Sequence, residues 1–131
     1  MDVIKQIDED LEAINRHWED PNELSALILR LSLRYGDLGD LVTEAELEMD
    51  EQKATLDYTQ ADLIRKSLNL DQTAAWSAAN AKAETQEQIK SYLTAKASYG
   101  KLKRKRDSVE KIIDAARSRL SLIKSDIRLG G

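Results

Sequence analysis

Apolar positions recur along this chain at steps of three and four, so the pattern predicts helices throughout. The first stripe is Ile4, Ile7, Leu11, Ile14 and Trp18, with Asp2, Asp8, Glu9, Asp10 and Glu12 placed on the other faces. So narrow an apolar stripe needs a partner helix to be stable. Asp20-Pro21-Asn22-Glu23 then restarts the chain. Asp20 can cap, Pro21 suits the first helical position, and Glu23 sits where a capping box places its carboxylate. The helix that follows carries Leu24, Leu27, Ile28, Leu31 and Tyr35 on one side and Leu29 and Leu33 on another, which predicts the most buried segment. Gly36 is the expected end, because glycine readily takes the left-handed position after a helix.

From Leu38 a third stripe runs through Val42, Ala45, Met49, Gln52, Leu56, Thr59, Leu63 and Leu70 and predicts a helix ending near Leu68. Asn69-Leu70-Asp71-Gln72 reads as a turn, with Asp71 or Thr73 as the next cap. The last stripe extends back from Ile127 through Ile123, Leu120, Ala116, Ile113, Val109, Arg106, Leu102, Tyr99, Ala95 and Tyr92 into an Ala-rich stretch. Unbroken from Thr73 to Ile127, such a helix spans about 80 Å. Gly100 is the expected place for a bend. These elements predict an all-α protein, an elongated antiparallel helical hairpin or coiled coil preceded by two shorter helices. The organisation read from the pattern is a two-helix segment over residues 1–36 and the long hairpin over residues 37–131.

Composition supports helices and narrows the function. The 131 residues include five Gly, one Pro, no Phe and no Cys, and 34% are charged. An aromatic-poor chain of this kind builds Leu/Ile seams rather than a thick core. Without cysteine there is no disulfide framework and no thiolate chemistry. Met1-Asp2-Val3-Ile4-Lys5 is amphipathic and acidic, unlike a signal peptide, and no apolar run reaches membrane-spanning length. The expectation is a cytoplasmic protein without a membrane partner.

Charge changes the picture most. The net charge of −4 hides an asymmetry: from Lys96 onward there are eleven Lys/Arg and four Asp/Glu, and the preceding 95 residues hold nine basic and twenty acidic side chains. In Lys101-Leu102-Lys103-Arg104-Lys105-Arg106 five of six residues are cationic. On a helix they wrap most of the circumference, so one neighbouring helix cannot pair them all. Phosphates could accept several, in sequence-independent and salt-dependent contacts. The competing reading pairs the run internally: a hairpin turning near Asp71 brings Arg104 near Leu38, where Asp37, Asp40 and Glu44 are close, and the acidic first helix could cover more. Tyr92 and Tyr99 are expected to pack in the seam. Tyr58, off its seam near Lys53 and Arg65, is the better base-stacking candidate, and Trp76 is expected over the hairpin turn.

Signals for catalysis are sparse. The one histidine, His17, lies beside Trp18 at a helix end and reads as a surface or capping residue. A four-helix di-metal site needs Glu-x-x-His pairs, and Ile14 stands three before His17. Glu44, Glu48 and Glu51 share a face that reads as solvated. No Ser-His-Asp set, glycine-rich phosphate loop or zinc spacing occurs. The chain is therefore expected to be no enzyme and to need neither metal nor cofactor.

Two stretches resemble the UvsY-type recombination mediators of T-even phages and related phage recombination accessory proteins. Glu51-Gln52-Lys53-Ala54-Thr55-Leu56-Asp57-Tyr58 is similar to that family's helix ending in basic-Ala-basic-Leu-Asp-Tyr, with Thr55 in place of the second basic residue. The tail from Ala97-Ser98-Tyr99-Gly100 through Ile112-Ile113-Asp114-Ala115-Ala116-Arg117-Ser118-Arg119 to Ile123-Lys124-Ser125-Asp126-Ile127 is similar to its C-terminal helix. The resemblance covers roughly the last two thirds of the chain. It implies a small helical protein that forms a ring-like oligomer through its C-terminal helices. It also implies binding of single-stranded DNA and help in loading a recombinase onto strands coated by single-strand-binding protein. On that reading Lys101, Lys103, Arg104, Lys105 and Arg106 contact phosphates and Lys53, Arg65 and Lys66 form a second basic face. Val109, Ile113, Ala116, Leu120, Ile123 and Ile127 form the subunit or hairpin interface. The alternative is a coiled-coil structural or virion-assembly adaptor that does not bind DNA.

Overall fold

The computed structural model of the chain describes residues 2–130. The protein is all-α, as the periodicity requires, and the described residues form four helices: α1 (Val3–Arg16), α2 (Pro21–Asn69), α3 (Ala74–Glu84) and α4 (Gln86–Gly130).

Local signals set most helix ends. The Asp2 carboxylate accepts the Ile4 amide at 2.9 Å and starts α1, and the His17 amide closes it on the Ala13 carbonyl at 3.0 Å. His17 is thus a capping position. Asp20 accepts the amides of Asn22 and Glu23 at 3.1 and 3.3 Å, with Pro21 in the first helical position, as expected from sequence. Thr73 caps α3 by accepting the Trp76 amide at 3.1 Å. Asp71 is not a cap. It sits in the left-handed region at φ 64°, and the Gln72 and Asp71 amides donate to the Ser67 and Leu68 carbonyls at 3.3 and 3.1 Å. That is the paired closure of a helix C-terminus, made with aspartate where glycine is usual.

Two expected boundaries fall elsewhere. Helix α2 does not stop at Gly36; it continues through Gly36 and Gly39 to Asn69, so the second and third expected helices are one. The fully buried Leu31 and Leu38 on either side of Gly36 both pack in one core. That burial keeps the backbone helical where the local signal would end it. The last helix breaks at Thr85 rather than bending at Gly100, which lies inside α4. The buried Thr85 hydroxyl donates to the Ala81 carbonyl at 2.7 Å and accepts the Gln60 side-chain amide at 3.0 Å. Such a hydroxyl bond to the preceding turn competes with the helical ladder.

The chain divides into two compact units, Met1–Val42 with Leu102–Gly131, and Thr43–Lys101. The first is a three-helix bundle of α1, the start of α2 and the end of α4. Ion pairs and packing give its directions. Only four residues join α1 to α2, which makes them antiparallel neighbours, and Asp10 of α1 faces Arg30 and Arg34 of α2. Asp8 pairs with Lys105 and Glu19 with Arg119, so α1 runs parallel to α4. The core holds Ile7 and Ile14, then Leu24, Leu27, Ile28, Leu31 and Leu38, then Val109, Ile113, Ala116 and Ile123. Each fully buried Leu or Ile contributes about 1.5–3 kcal/mol. Leu29 and Leu33 point outward, 66% and 65% exposed, so the apolar excess of this segment is not all core. Asp10 corrects the sequence reading in the other direction. It lies on the buried face, 6% exposed, with the Nε atoms of Arg30 and Arg34 each 3.8 Å from its carboxylate.

The second unit is an antiparallel hairpin of the rest of α2 against α3 and the start of α4. Lys53 lies over Tyr92, Gln60 meets Thr85, and Ser77 donates to Ser67 at 2.8 Å, a register with a nearly constant index sum. Its buried side chains are Leu56, Ala81, Ser67, Ser77 and Thr85, a lean and partly polar seam.

Candidate nucleic-acid interface

In the first unit the seam of α4 decides which cations remain outside. With Val109, Ile113 and Ala116 turned inward, Lys105 and Arg106 fall on flanks that meet the other helices. Lys105, with its side chain 28% exposed, is paired to Asp8. The Arg106 guanidinium lies 4.3 Å from the centre of the Tyr35 ring. It fits there because Gly39 has no side chain: a Cβ at that position would lie 3.1 Å from the Arg106 Nη2 atom. Two of the five cations of the run therefore hold the bundle together. Lys103 and Arg104 are exposed, although Lys103 has an interaction of its own within the fold. Arg104 enters no ion pair among the described residues, and neither does the exposed Lys111. The two are seven residues apart, close to two helical turns, and so share the outward face of α4. Sequence reasoning passed over Lys111 because it stands outside the dense run; its spacing from Arg104 was the available signal. Arg117, Lys124 and Arg128 are also exposed, and Arg119 is paired with Glu19.

Charge within this unit is nearly balanced. Residues 2–42 hold ten acidic and four basic side chains, and residues 102–130 hold nine basic and four acidic. The acidic first helix covers part of the basic one, as the internal-pairing alternative expected, through Asp8.

In the second unit the expected second basic face is matched by carboxylates. Lys53 pairs with Asp57 at 3.0 Å and lies 5.4 Å from the Tyr92 ring centre. The Asp57 hydrogen bond and charge raise the Lys53 ammonium above its ordinary value. Arg65 and Lys66 share Asp62 at 2.6 and 2.9 Å. Hydrogen bonds from Lys66 and then Arg65 hold that carboxyl below the usual carboxylate range. Lys101 is exposed. Tyr92 and Tyr99 are half-buried, Trp76 is 50% exposed, and Tyr58 is 75% exposed. Residues 43–69 around Tyr58 hold seven acidic and three basic side chains, a poor setting for a polyanion.

The six residues of the expected interface divide. Val109, Ile113, Ala116 and Ile123 are buried in the chain's own bundle, and Leu120 packs half-buried against the same core. Ile127 is 61% exposed. Burial within one chain leaves the first four no surface to offer a second one. Among the described residues no three His, Asp or Glu side chains converge to hold a metal ion, and no helix is long and apolar enough to cross a membrane. Comparison with known proteins finds no matching family model, no matching curated protein and no matching solved structure.

Proposed function

We propose that this chain is a non-catalytic accessory protein of the phage recombination type, which binds single-stranded DNA through phosphate contacts and works as an oligomer. The observation that carries the reading is the outward pair Arg104 and Lys111, exposed and outside any ion pair among the described residues. Phosphate recognition asks for cations on an accessible face and little else, and it is indifferent to base sequence. One subunit offers a modest basic surface, and oligomerisation multiplies it by raising the effective concentration of neighbouring sites. Help in loading a recombinase onto strands coated by single-strand-binding protein belongs to the same proposal and rests on the resemblance to UvsY-type mediators.

A second reading, a coiled-coil adaptor that does not bind DNA, is favoured by Lys105 and Arg106, which spend their charge and stacking inside the bundle. Fluorescence anisotropy of a labelled single-stranded oligonucleotide separates the two. Saturable binding by the wild type, weakened in the double variant Arg104→Ala/Lys111→Ala and kept in Lys53→Ala/Lys66→Ala, supports the DNA reading. Equal binding by all three proteins places the contacts elsewhere, and no binding at low salt leaves the adaptor.

A further inference from the structure

Helix α2 carries a second heptad stripe in the Thr43–Lys101 unit, on the side away from the hairpin seam. Leu47, Glu51, Ala54, Tyr58, Ala61, Arg65 and Leu68 follow one another at steps of four and three, and all seven are exposed. Leu47, Tyr58 and Leu68 are 58%, 75% and 45% exposed. Inward-facing Gln52, Leu56, Thr59, Leu63 and Ser67 satisfy the hairpin, so its packing does not use this stripe.

Its order is the informative part. Reversed about Tyr58, the stripe maps onto itself with its charges complementary. Leu47 falls opposite Leu68, Ala54 opposite Ala61 and Glu51 opposite Arg65, each within one residue. A two-fold axis through Tyr58 is the operation that produces those matches, and it makes the same patch serve both partners. We propose that the outer face of α2 over residues 47–68 is an antiparallel dimer interface with a second copy of this chain. Two Glu51–Arg65 pairs flank the central tyrosines, each Arg65 being shared with its own Asp62 at 2.6 Å, and leucines close both ends. Asp57 also lies near the axis, and its charge is matched by its own Lys53 at 3.0 Å. Nucleic acid is the poorer occupant, because residues 43–69 hold seven acidic and three basic side chains. The lean seam of this hairpin, with Leu56 and Ala81 as its buried apolar side chains, gains a second layer of burial from the contact. The stripe is about 32 Å long, at the low end for a specific interface, so the dimer is concentration-dependent.

This names a surface for the oligomerisation proposed above and stands without the DNA contacts, so a failed oligonucleotide titration leaves it intact. Sedimentation equilibrium of the full chain tests it, with helicity checked by circular dichroism. The wild type is expected to move from monomer to dimer mass with concentration. Glu51→Arg places like charges opposite each other twice and weakens the dimer by about tenfold or more. Arg65→Glu does the same, and the double exchange Glu51→Arg/Arg65→Glu restores the wild-type constant. Tyr58→Cys, in a chain with no other cysteine, gives a single disulfide-linked dimer on oxidation. A wild type that stays monomeric up to about 1 mM overturns the proposal. So does a double exchange no better than either single one, or a Tyr58→Cys chain that does not cross-link.

Discussion

Replacing Leu31 by alanine probes the inward face of α2 where the sequence is least able to assign it. Leu31 and Leu33 sit two residues apart in the same helix, yet one is 0% and the other 65% exposed. Leu31 packs in the three-helix core with Leu27, Ile28, Val109 and Ile113. Its truncation loses the transfer energy of the removed atoms and leaves a cavity that three helices close only in part, a cost of about 3 kcal/mol. Leu33 loses contact mainly with water, so its truncation falls within about 0.5 kcal/mol of neutral. Both changes put alanine for leucine in one helix, so the small propensity difference cancels in the comparison. For a unit of this size about 3 kcal/mol lowers the melting temperature by roughly 15 °C. Thermal and urea unfolding followed by far-ultraviolet circular dichroism reads the difference directly. Equal losses for the two variants, or a loss below about 1 kcal/mol for Leu31→Ala, would refute the inward and outward assignment.

Three further outcomes follow from single residues. Gly36→Ala, with nothing within 4 Å of the added Cβ, is expected to stabilise the helix by about 1 kcal/mol, whereas Gly39→Ala is expected to fall short of that because the added Cβ presses on the Arg106 guanidinium that stacks on Tyr35; urea midpoints of the two variants check this. Asp71→Gly relieves a left-handed aspartate and is expected to stabilise by ~0.5 kcal/mol after the entropy of glycine in the unfolded chain is counted, as read by thermal melts. Asp62 has a folded pKa below its unfolded one, so its contribution is present above the ordinary carboxylate range and lost as pH falls through the lowered value. Asp62→Asn is therefore expected to melt below the wild type near neutral pH, with the gap closing in acid; a gap that is constant with pH contradicts the pairing.

The starts of α2 and α3 were legible because they rest on neighbours in sequence. Asp20-Pro21 and Thr73 each cap within three residues, and the Ile7–Ile14 and Val109–Ile123 stripes read directly as buried faces. What the sequence could not show depends on distant partners. Gly36 carries a stop signal that Leu31 and Leu38 override by packing on both sides of it. The break at Thr85 depends on Gln60, 25 residues away. Asp10 looks like a surface carboxylate until Arg30 and Arg34 arrive from α2. The same limit governs the candidate site. A heptad stripe does not say whether its partner lies in the same chain, and Val109, Ile113, Ala116 and Ile123 find theirs in α1 and α2. A cationic run does not say which members face inward, and only packing turns Lys105 and Arg106 toward Asp8 and Tyr35 while leaving Arg104 out.

The proposal that this chain holds single-stranded DNA by its phosphates stands or falls on a salt series. The binding constant for a labelled single-stranded oligonucleotide should fall linearly on a log–log plot against salt, with a slope of about −0.7 for each phosphate contacted. That slope should become shallower in Arg104→Ala/Lys111→Ala. Binding that does not change with salt, or no binding at the lowest salt, would contradict it.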